Sequence, residues 1–319
     1  MSVLVASMYD PDGWTRHVRA ALPEHRVMAT NRFGEFEGAA EDLAAVEHVL
    51  AWKPRQELLD RLPALKAIFS LGAGVDHLMD LPRLPNVPVV RIVDPDLTAR
   101  MTEYVVWQVL HHHRMGAAYQ RQQATRQWRD LRQPAARHVT VGLMGLGVLG
   151  TSAAEALLKI GFRVAGWSRT PKELPGVRTF SGESERDAFL AETDILVALL
   201  PLTPETTHIL NRSLFAKLRR PGPLGGPVVI NAGRGGSQNE SDILAALRDG
   251  TLRGASLDVF EREPLPSESP LWNAPNLVVT PHVAAVSDPA ALAPAIAGQI
   301  RAFERGEPLQ NVVDIRRGY

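Results

Sequence analysis

The chain has no cysteine among its 319 residues, which excludes disulfides, thiolate nucleophiles and cysteine-ligated zinc or iron–sulfur centres. It has no excess of either charge. Its 35 lysine and arginine side chains stand against 35 aspartates and glutamates, so the single-sign field of a nucleic-acid binder is not expected. Lysine itself is scarce, with only Lys53, Lys66, Lys159, Lys172 and Lys217, and the arginine preference reads as coding bias rather than a device for binding phosphate. No apolar run reaches the ~18 residues of a membrane span, and the short run after Met1 lacks the basic flank of a secretory signal. A cytoplasmic location, with no membrane and no nucleic-acid partner, is the expectation.

What the sequence does have is length for two hydrophobic cores and a repeated alternation of short apolar runs with helical patterns. Runs at Ser2–Ala6, His48–Trp52, Ala67–Leu71 and Val87–Val90, with a helical segment from Gly13 to Ala21, make a first α/β block that Pro95 closes. A long helix from about Ala99 to Trp128, capped by Thr98, is expected to bridge to a second block. There, runs at Val139–Met144, Arg163–Trp167, Asp194–Leu200, Val228–Asn231, Gly254–Asp258 and Leu277–Thr280, with a helix at Thr151–Ile160, supply a complete doubly wound parallel sheet. The Pro/Gly cluster at Pro221–Pro227 reads as a surface turn. A final helix, Pro289–Arg305, follows that sheet and is expected to return to the first block. The predicted fold class is α/β with two Rossmann-like domains. A dinucleotide-binding domain (99–283) is inserted in a smaller flavodoxin-like substrate domain (1–98 plus 284–319).

Gly145-Leu146-Gly147-Val148-Leu149-Gly150 lies between a strand and a helix, where a G-x-G-x-x-G places backbone N–H groups and a helix N-terminus against a pyrophosphate. About twenty residues on, Ser168, Arg169 and Thr170 occupy the strand end at which an NAD enzyme carries an acidic side chain. A guanidinium flanked by two hydroxyls suits a 2′-phosphate, which a carboxylate would repel. NADPH is therefore the preferred cofactor, with NADH possible.

Three downstream segments carry groups for chemistry. Arg234 sits in a glycine-rich loop after a strand, where its planar fork could grip a carboxylate and polarise a ketone, or could equally tie down the loop. His282, in Thr280-Pro281-His282, stands at another strand end and could donate a proton to a forming alkoxide. Asp258, Glu261 and Glu263 lie in the intervening segment, and a carboxylate beside His282 would favour the imidazolium and keep the donor loaded. His111, His112 and His113 do not suggest a metal site, because consecutive helical side chains point about 100° apart. They are expected on a helix surface or at a subunit contact, and no metal is expected anywhere in the chain.

Taken in order, Leu71-Gly72-Ala73-Gly74-Val75-Asp76, the glycine fingerprint, Leu200-Pro201-Leu202-Thr203, the Arg234 loop, Asp258–Pro266 and Thr280-Pro281-His282 resemble the D-isomer-specific 2-hydroxyacid dehydrogenases across nearly the whole chain, and most closely their glyoxylate/hydroxypyruvate-reducing branch. The resemblance implies Arg234 as the substrate-binding catalytic arginine, His282 as the acid/base and Glu263 as its partner. It implies the Gly74 and Val75 amides as holders of the substrate carboxylate, with Trp52, Arg100 and Met101 shaping the pocket. Leu200, Pro201, Thr206, Ala232, Gly233, Arg234, Asp258 and His282 join the fingerprint residues around the cofactor. The implied activity is NADPH-dependent reduction of small 2-oxo acids, glyoxylate to glycolate and hydroxypyruvate to D-glycerate, by a homodimer. The alternatives are a D-lactate or phosphoglycerate type of dehydrogenase and a non-enzymatic, nucleotide-sensing corepressor. A short-chain dehydrogenase is excluded, since no tyrosine has a lysine four residues on.

Overall fold

The structure is a computed structural model that describes residues 1–315; residues 316–319, Tyr319 among them, lie outside the description. Contacts divide the chain into two units, one formed by Met1–Leu97 with the segment from Ser287 onward, the other by Thr98–Val286.

The first unit contains β1 (Ser2–Ser7), α1 (Pro11–Ala21, numbering only the longer helices), β2 (Arg26–Ala29), β3 (Val46–Trp52), β4 (Ala67–Ser70) and β5 (Val89–Val90). Its sheet is parallel in the order β2-β1-β3-β4-β5, the flavodoxin-like arrangement. Every residue of β1 is buried, as a central strand covered on both faces requires. Asp10 caps α1 by accepting from Gly13 N, and Pro11 takes the first helical position, where its missing N–H costs nothing. Trp14, Val18 and Leu22 share one core cluster with Leu292, Ile296 and Ile300. The last three come from the final helix, Pro289–Glu304, so the chain does return to its first sheet.

The second unit begins with α2 (Pro95–His113, the unit boundary falling in its first turn) and α3 (Gly116–Ala124). Then come β6 (Thr140–Met144), α4 (Val148–Ile160), β7 (Arg163–Ser168), β8 (Val177–Ser181), β9 (Ile195–Ala198), β10 (Val228–Asn231), α5 (Glu240–Asp249), β11 (Gly254–Leu257) and β12 (Leu277–Val279). The order β12-β11-β10-β9-β6-β7-β8, all parallel, is a doubly wound sheet whose strand order reverses at β6/β9. That crevice is where such folds bind ligands. The two-domain α/β expectation holds.

Three expectations need correction. The single helix from Ala99 to Trp128 is two helices, broken where Met115 takes a left-handed φ of 61°. Gly116 follows because a Cβ there would lie 2.5 Å from His111 Nδ1, and beyond Ala124 the chain is irregular, with Trp128 fully exposed. The first of these helices is capped by Asp94, whose Oδ1 accepts from Asp96 N at 2.8 Å and Leu97 N at 3.3 Å. Pro95 thus starts the helix instead of closing the block, and Thr98 lies inside it. The helix after the glycine turn starts at Val148, three residues earlier than expected. Edge strands β2 and β8 were unannounced, since only one residue of β8 is buried and neither strand offers a long apolar run.

Candidate active site

All the segments singled out for chemistry leave the carboxyl ends of parallel strands. In the second unit the glycine turn follows β6, Ser168-Arg169-Thr170 ends and follows β7, Leu200–Thr203 follows β9, Ala232–Arg234 follows β10, Asp258–Glu263 follows β11 and Thr280–His282 follows β12. In the first, Trp52 ends β3 and Leu71–Val75 follows β4.

The glycine turn is dictated by sterics. Gly145 has φ +104° and a Cβ on it would come within 2.7 Å of Leu199 O, while a Cβ on Gly150 would come within 1.9 Å of Gly145 O. Any side chain at either position must displace backbone. Gly147 differs, since a Cβ there would meet nothing within 4 Å. It is also the N-cap of α4 and places no side chain on the helix's first N–H groups. Open space above uncapped amides is what a pyrophosphate needs, so the residues fit a dinucleotide. Leu146 is buried and packs against Gly166, so its side chain belongs to the core, whereas Val148 is exposed and Leu149 half-buried.

At the end of β7, Ser168 Oγ donates to Thr170 O at 2.8 Å and shapes the turn, leaving Arg169 and Thr170 exposed. Lys172 was missed in the sequence. Its Nζ donates to Leu146 O at 2.5 Å, which places a second cation between the β7 turn and the glycine turn. A lysine four residues after a strand end carries no motif, and only the fold brings it there. Thr206 fastens the loop after β9, its Oγ1 donating to Pro201 O at 2.7 Å and accepting from Thr203 N at 2.8 Å.

The Arg234 loop is built on buried amides. Asn231, fully buried at the end of β10, accepts from Gly233 N at 3.0 Å and donates to Arg234 O at 3.0 Å and to Gln238 Oε1 at 2.8 Å. Gln238 in turn donates to Val259 O at 2.9 Å. Gly235 completes the join, since a Cβ there would lie 1.9 Å from Phe260 O. The arginine loop and the acidic segment are thus one fitted piece. Arg234 also donates from one guanidinium nitrogen to Gly233 O at 2.8 Å, a contact that serves the loop.

His282 Nδ1 lies 2.9 Å from Glu263 Oε2, and the other carboxylate oxygen, Oε1, accepts from Phe260 N at 3.1 Å. The other two carboxylates are engaged elsewhere. Glu261 accepts from Glu240 N at 3.1 Å and lies 3.7 Å from His208. Asp258 accepts from Thr280 Oγ1, Val283 N and Ala284 N at 2.7–2.9 Å. His282 itself has φ +53°, a conformation L-residues seldom adopt, and its N–H donates to Asp258 O at 2.8 Å. The ring is partly exposed.

In the first unit, the Trp52 ring covers Gly72, whose Cβ would come within 2.2 Å of it, and stands 4.5 Å from the His77 ring. Trp52 therefore packs on the loop that carries Gly74 and Val75, and Ser70 Oγ fixes that loop by donating to Gly74 O at 3.0 Å. Of the two α2 residues, Arg100 is exposed, whereas Met101 is buried in the cluster that includes Tyr104, Val105 and Leu143.

Within the histidine triplet His111 and His112 are half-buried and His113 is buried. His113 is buried against Phe162, and burial, with the nearby His111 and Arg253 charges, pushes His112 down to about 3. Neutral His112 donates from Nε2 to Ser256 Oγ at 2.8 Å, and Ser256 donates on to buried Gln108 at 2.7 Å. His112 thus anchors α2 to β11. Among the described residues, the one group with metal-ligand spacing is Glu47, His48 and Glu304. There Glu304 is already bonded to His25 Nε2 at 2.8 Å, and one oxygen of Glu47 pairs with Lys66 at 3.1 Å while the other is buried without a partner.

A strand-order switch point at an open glycine turn, with a histidine–carboxylate pair on the same sheet edge, defines a dinucleotide-dependent oxidoreductase of the α/β class. Residues 106–284 match the D-isomer specific 2-hydroxyacid dehydrogenase, NAD binding domain. The chain is 50% identical, over 100% of its length and 99% of the other's, to the crystal structure of an NADPH-dependent glyoxylate/hydroxypyruvate reductase from Sinorhizobium meliloti in complex with NADP and sulfate, with a TM-score of 0.95. It is 42% identical, with a TM-score of 0.92 and coverage of 100% and 99%, to a D-isomer specific 2-hydroxyacid dehydrogenase from Xanthobacter autotrophicus in complex with NADPH and MES. Glyoxylate/hydroxypyruvate reductase A of Klebsiella pneumoniae is 42% identical over 98% of this chain and 97% of its own length. The chain belongs to the D-isomer-specific 2-hydroxyacid dehydrogenase family, whose members are NAD(P)-dependent oxidoreductases.

Proposed function

We propose that this chain reduces small 2-oxo acids with NADPH, glyoxylate to glycolate and hydroxypyruvate to D-glycerate. The observation that carries the reading is the His282–Glu263 pair at 2.9 Å, on the same sheet edge as a glycine turn shaped for a dinucleotide. NADPH, when bound, supplies the hydride. Gly145–Gly150 and the first amides of α4 hold its pyrophosphate, and Arg169, Thr170 and Lys172 face the 2′-phosphate. The Arg234 guanidinium takes the substrate carboxylate and polarises the ketone. His282 gives the proton from Nε2 to the oxygen that becomes the hydroxyl, while Glu263 holds Nδ1 and favours the charged ring that donation requires.

No helix among the described residues is long and apolar enough to cross a membrane, which agrees with a cytoplasmic enzyme. A homodimer is the expected assembly, as the family resemblance implies. The test is direct: purified protein, NADPH or NADH, and glyoxylate, hydroxypyruvate and pyruvate in turn, followed by loss of reduced-nicotinamide absorbance. Turnover of glyoxylate or hydroxypyruvate faster with NADPH than with NADH is the expected result. No turnover of any 2-oxo acid with either cofactor would overturn the reading and leave a nucleotide-sensing role in its place.

A further inference from the structure

The loop that carries His282 has an unusual backbone and a specific means of holding it. The ring projects from a residue at φ +53°, and such a conformation in a non-glycine residue persists only where its surroundings enforce it. What enforces it is Asp258, 1% exposed. One carboxylate oxygen accepts from Thr280 Oγ1 at 2.7 Å and Val283 N at 2.9 Å, the other from Ala284 N at 2.9 Å. The carboxylate therefore grips residues on both sides of His282.

The direction of each proton in this network is fixed by chemistry. A carboxylate only accepts, so Thr280 must give it its single hydroxyl proton. Thr280 Oγ1 is then left as an acceptor, and the group beside it is the Tyr104 hydroxyl at 2.8 Å, which must be the donor. Burial, together with the Asp258 charge, pushes the Tyr104 phenol well above its ordinary value, so it keeps that proton throughout the working range. Tyr104 → Thr280 → Asp258 is a one-way chain ending on the carboxylate that also accepts from the Val283 and Ala284 amides just after His282. Tyr104 stands on α2 one helical turn after Arg100, on the same face.

We propose that Tyr104 is a positioning residue for the acid/base: through Thr280 and Asp258 its hydroxyl holds the loop so that Nδ1 of His282 meets Glu263 and Nε2 is presented for proton transfer. This deepens the reductase reading and rests on it for its kinetic consequences, but not for the structural ones.

The experiment compares Tyr104→Phe, Thr280→Val, the double variant and Thr280→Ser in the full-length protein. Amide hydrogen exchange tests the holding itself, whether or not the protein is a reductase. Val283 and Ala284 amides should exchange several-fold faster in Tyr104→Phe and Thr280→Val, with β6 amides unchanged. Kinetics test the consequence. For Tyr104→Phe, kcat with glyoxylate should fall about fivefold or more, the effect of one hydrogen bond, while KM and the NADPH Kd stay within about twofold. The falling limb of the pH–rate profile should move to lower pH, because a loosened loop weakens the pairing with Glu263. A general loss of folding would not move that limb. Thr280→Ser, which keeps the hydroxyl, should restore both rate and profile. The double variant should be no worse than Thr280→Val, since the two groups act in series. Unchanged exchange at Val283 and Ala284 overturns the proposal, even if the protein reduces no 2-oxo acid. Wild-type kcat and pH profile in Tyr104→Phe, or additive losses in the double variant, also overturn it. An inactive wild type whose amides respond as expected sinks the reductase reading and leaves the chain standing.

Discussion

The glycine turn after β6 and the loops that carry Arg234 and His282 present groups on the same sheet edge by opposite means. The turn works by leaving side chains out: at Gly145 and Gly150 a single added carbon would collide with backbone, and at Gly147 it would occupy open space. The catalytic loops work by putting buried polar side chains in. Asn231, Gln238 and Asp258, each no more than 1% exposed, spend their hydrogen bonds on the backbone around Arg234 and His282. Backbone donors need only be exposed in the right geometry, whereas a side chain that must deliver a proton needs its whole loop immobilised.

The most severe break should come from the side-chain loops. His282→Ala should lower turnover of glyoxylate by ~10²-fold or more, the range for a positioned general acid, and leave the NADPH Kd within about twofold. Near-normal turnover between about pH 6 and 8, where an imidazole can act, would remove His282 from the mechanism.

The glycine turn predicts a split within itself. Gly150→Ala should destabilise the fold by ~1–3 kcal/mol, as overpacking against fixed backbone does, and lower the midpoint of thermal unfolding with or without cofactor. Gly147→Ala has room and an ordinary φ of −77°, so unfolding of the free protein should be unchanged. Its NADPH Kd should rise roughly tenfold (~1.4 kcal/mol), because the methyl occupies the space reserved for phosphate. Undiminished NADPH affinity in Gly147→Ala would show that no phosphate approaches there.

The same contrast explains what could be read from the sequence. Steric demands are written locally: a glycine pattern between a buried strand and a helix announces the turn, and fully buried runs such as Ser2–Ser7 announce parallel strands. Polar scaffolding is not local. Asn231 looks like the polar end of a strand and Gln238 like an ordinary loop residue until the fold joins them, Lys172 acquires meaning only because β7 lies beside β6, and Tyr104 meets Thr280 across 176 positions. The contacts of the histidine triplet were hidden for a related reason. Helical spacing excludes convergence on one ion, but it does not reveal that His112 bonds to Ser256 on β11 or that His113 packs against Phe162. Met115, an unremarkable residue for a helix, gave no sign of the left-handed turn that splits α2 from α3.

A gentler perturbation tests the pairing of His282. Glu263→Gln keeps the shape at Nδ1 and removes the charge, so the imidazolium loses its electrostatic support. Reduction needs the protonated ring, and activity falls as pH rises and the ring deprotonates. With glutamine that fall should begin at lower pH. The rate at low pH, where the ring is protonated in either form, should approach that of the wild type. A profile that keeps its position would mean that the 2.9 Å contact orients the ring without biasing its charge.

The smallest effect is expected at the adenosine end, where the comparison can be sharpened rather than broken. Arg169 is exposed, and an exposed ion pair contributes at most ~1 kcal/mol, about fivefold. Arg169→Asp replaces the proposed 2′-phosphate partner with the carboxylate that NAD enzymes carry at this strand end. The ratio of kcat/KM for NADPH to that for NADH, at fixed glyoxylate, should therefore fall by a factor of a few. It should not invert, because Thr170 stays in place and Lys172, tied to Leu146 O at 2.5 Å, keeps a cation at the turn. Adding Lys172→Ala to Arg169→Asp should lower the ratio further, since Lys172 is the other cation held at the turn, through its bond to Leu146 O. The glyoxylate-to-hydroxypyruvate preference should stay as it was, because both residues follow β7 and the loops of Arg234 and His282 follow β10 and β12. If Arg169→Asp alone abolished NADPH use, the arginine would be the dominant reader and Lys172 a strut for the turn. A ratio unmoved even in the double variant, or a wild-type enzyme that already prefers NADH, would show that neither cation reads the phosphate.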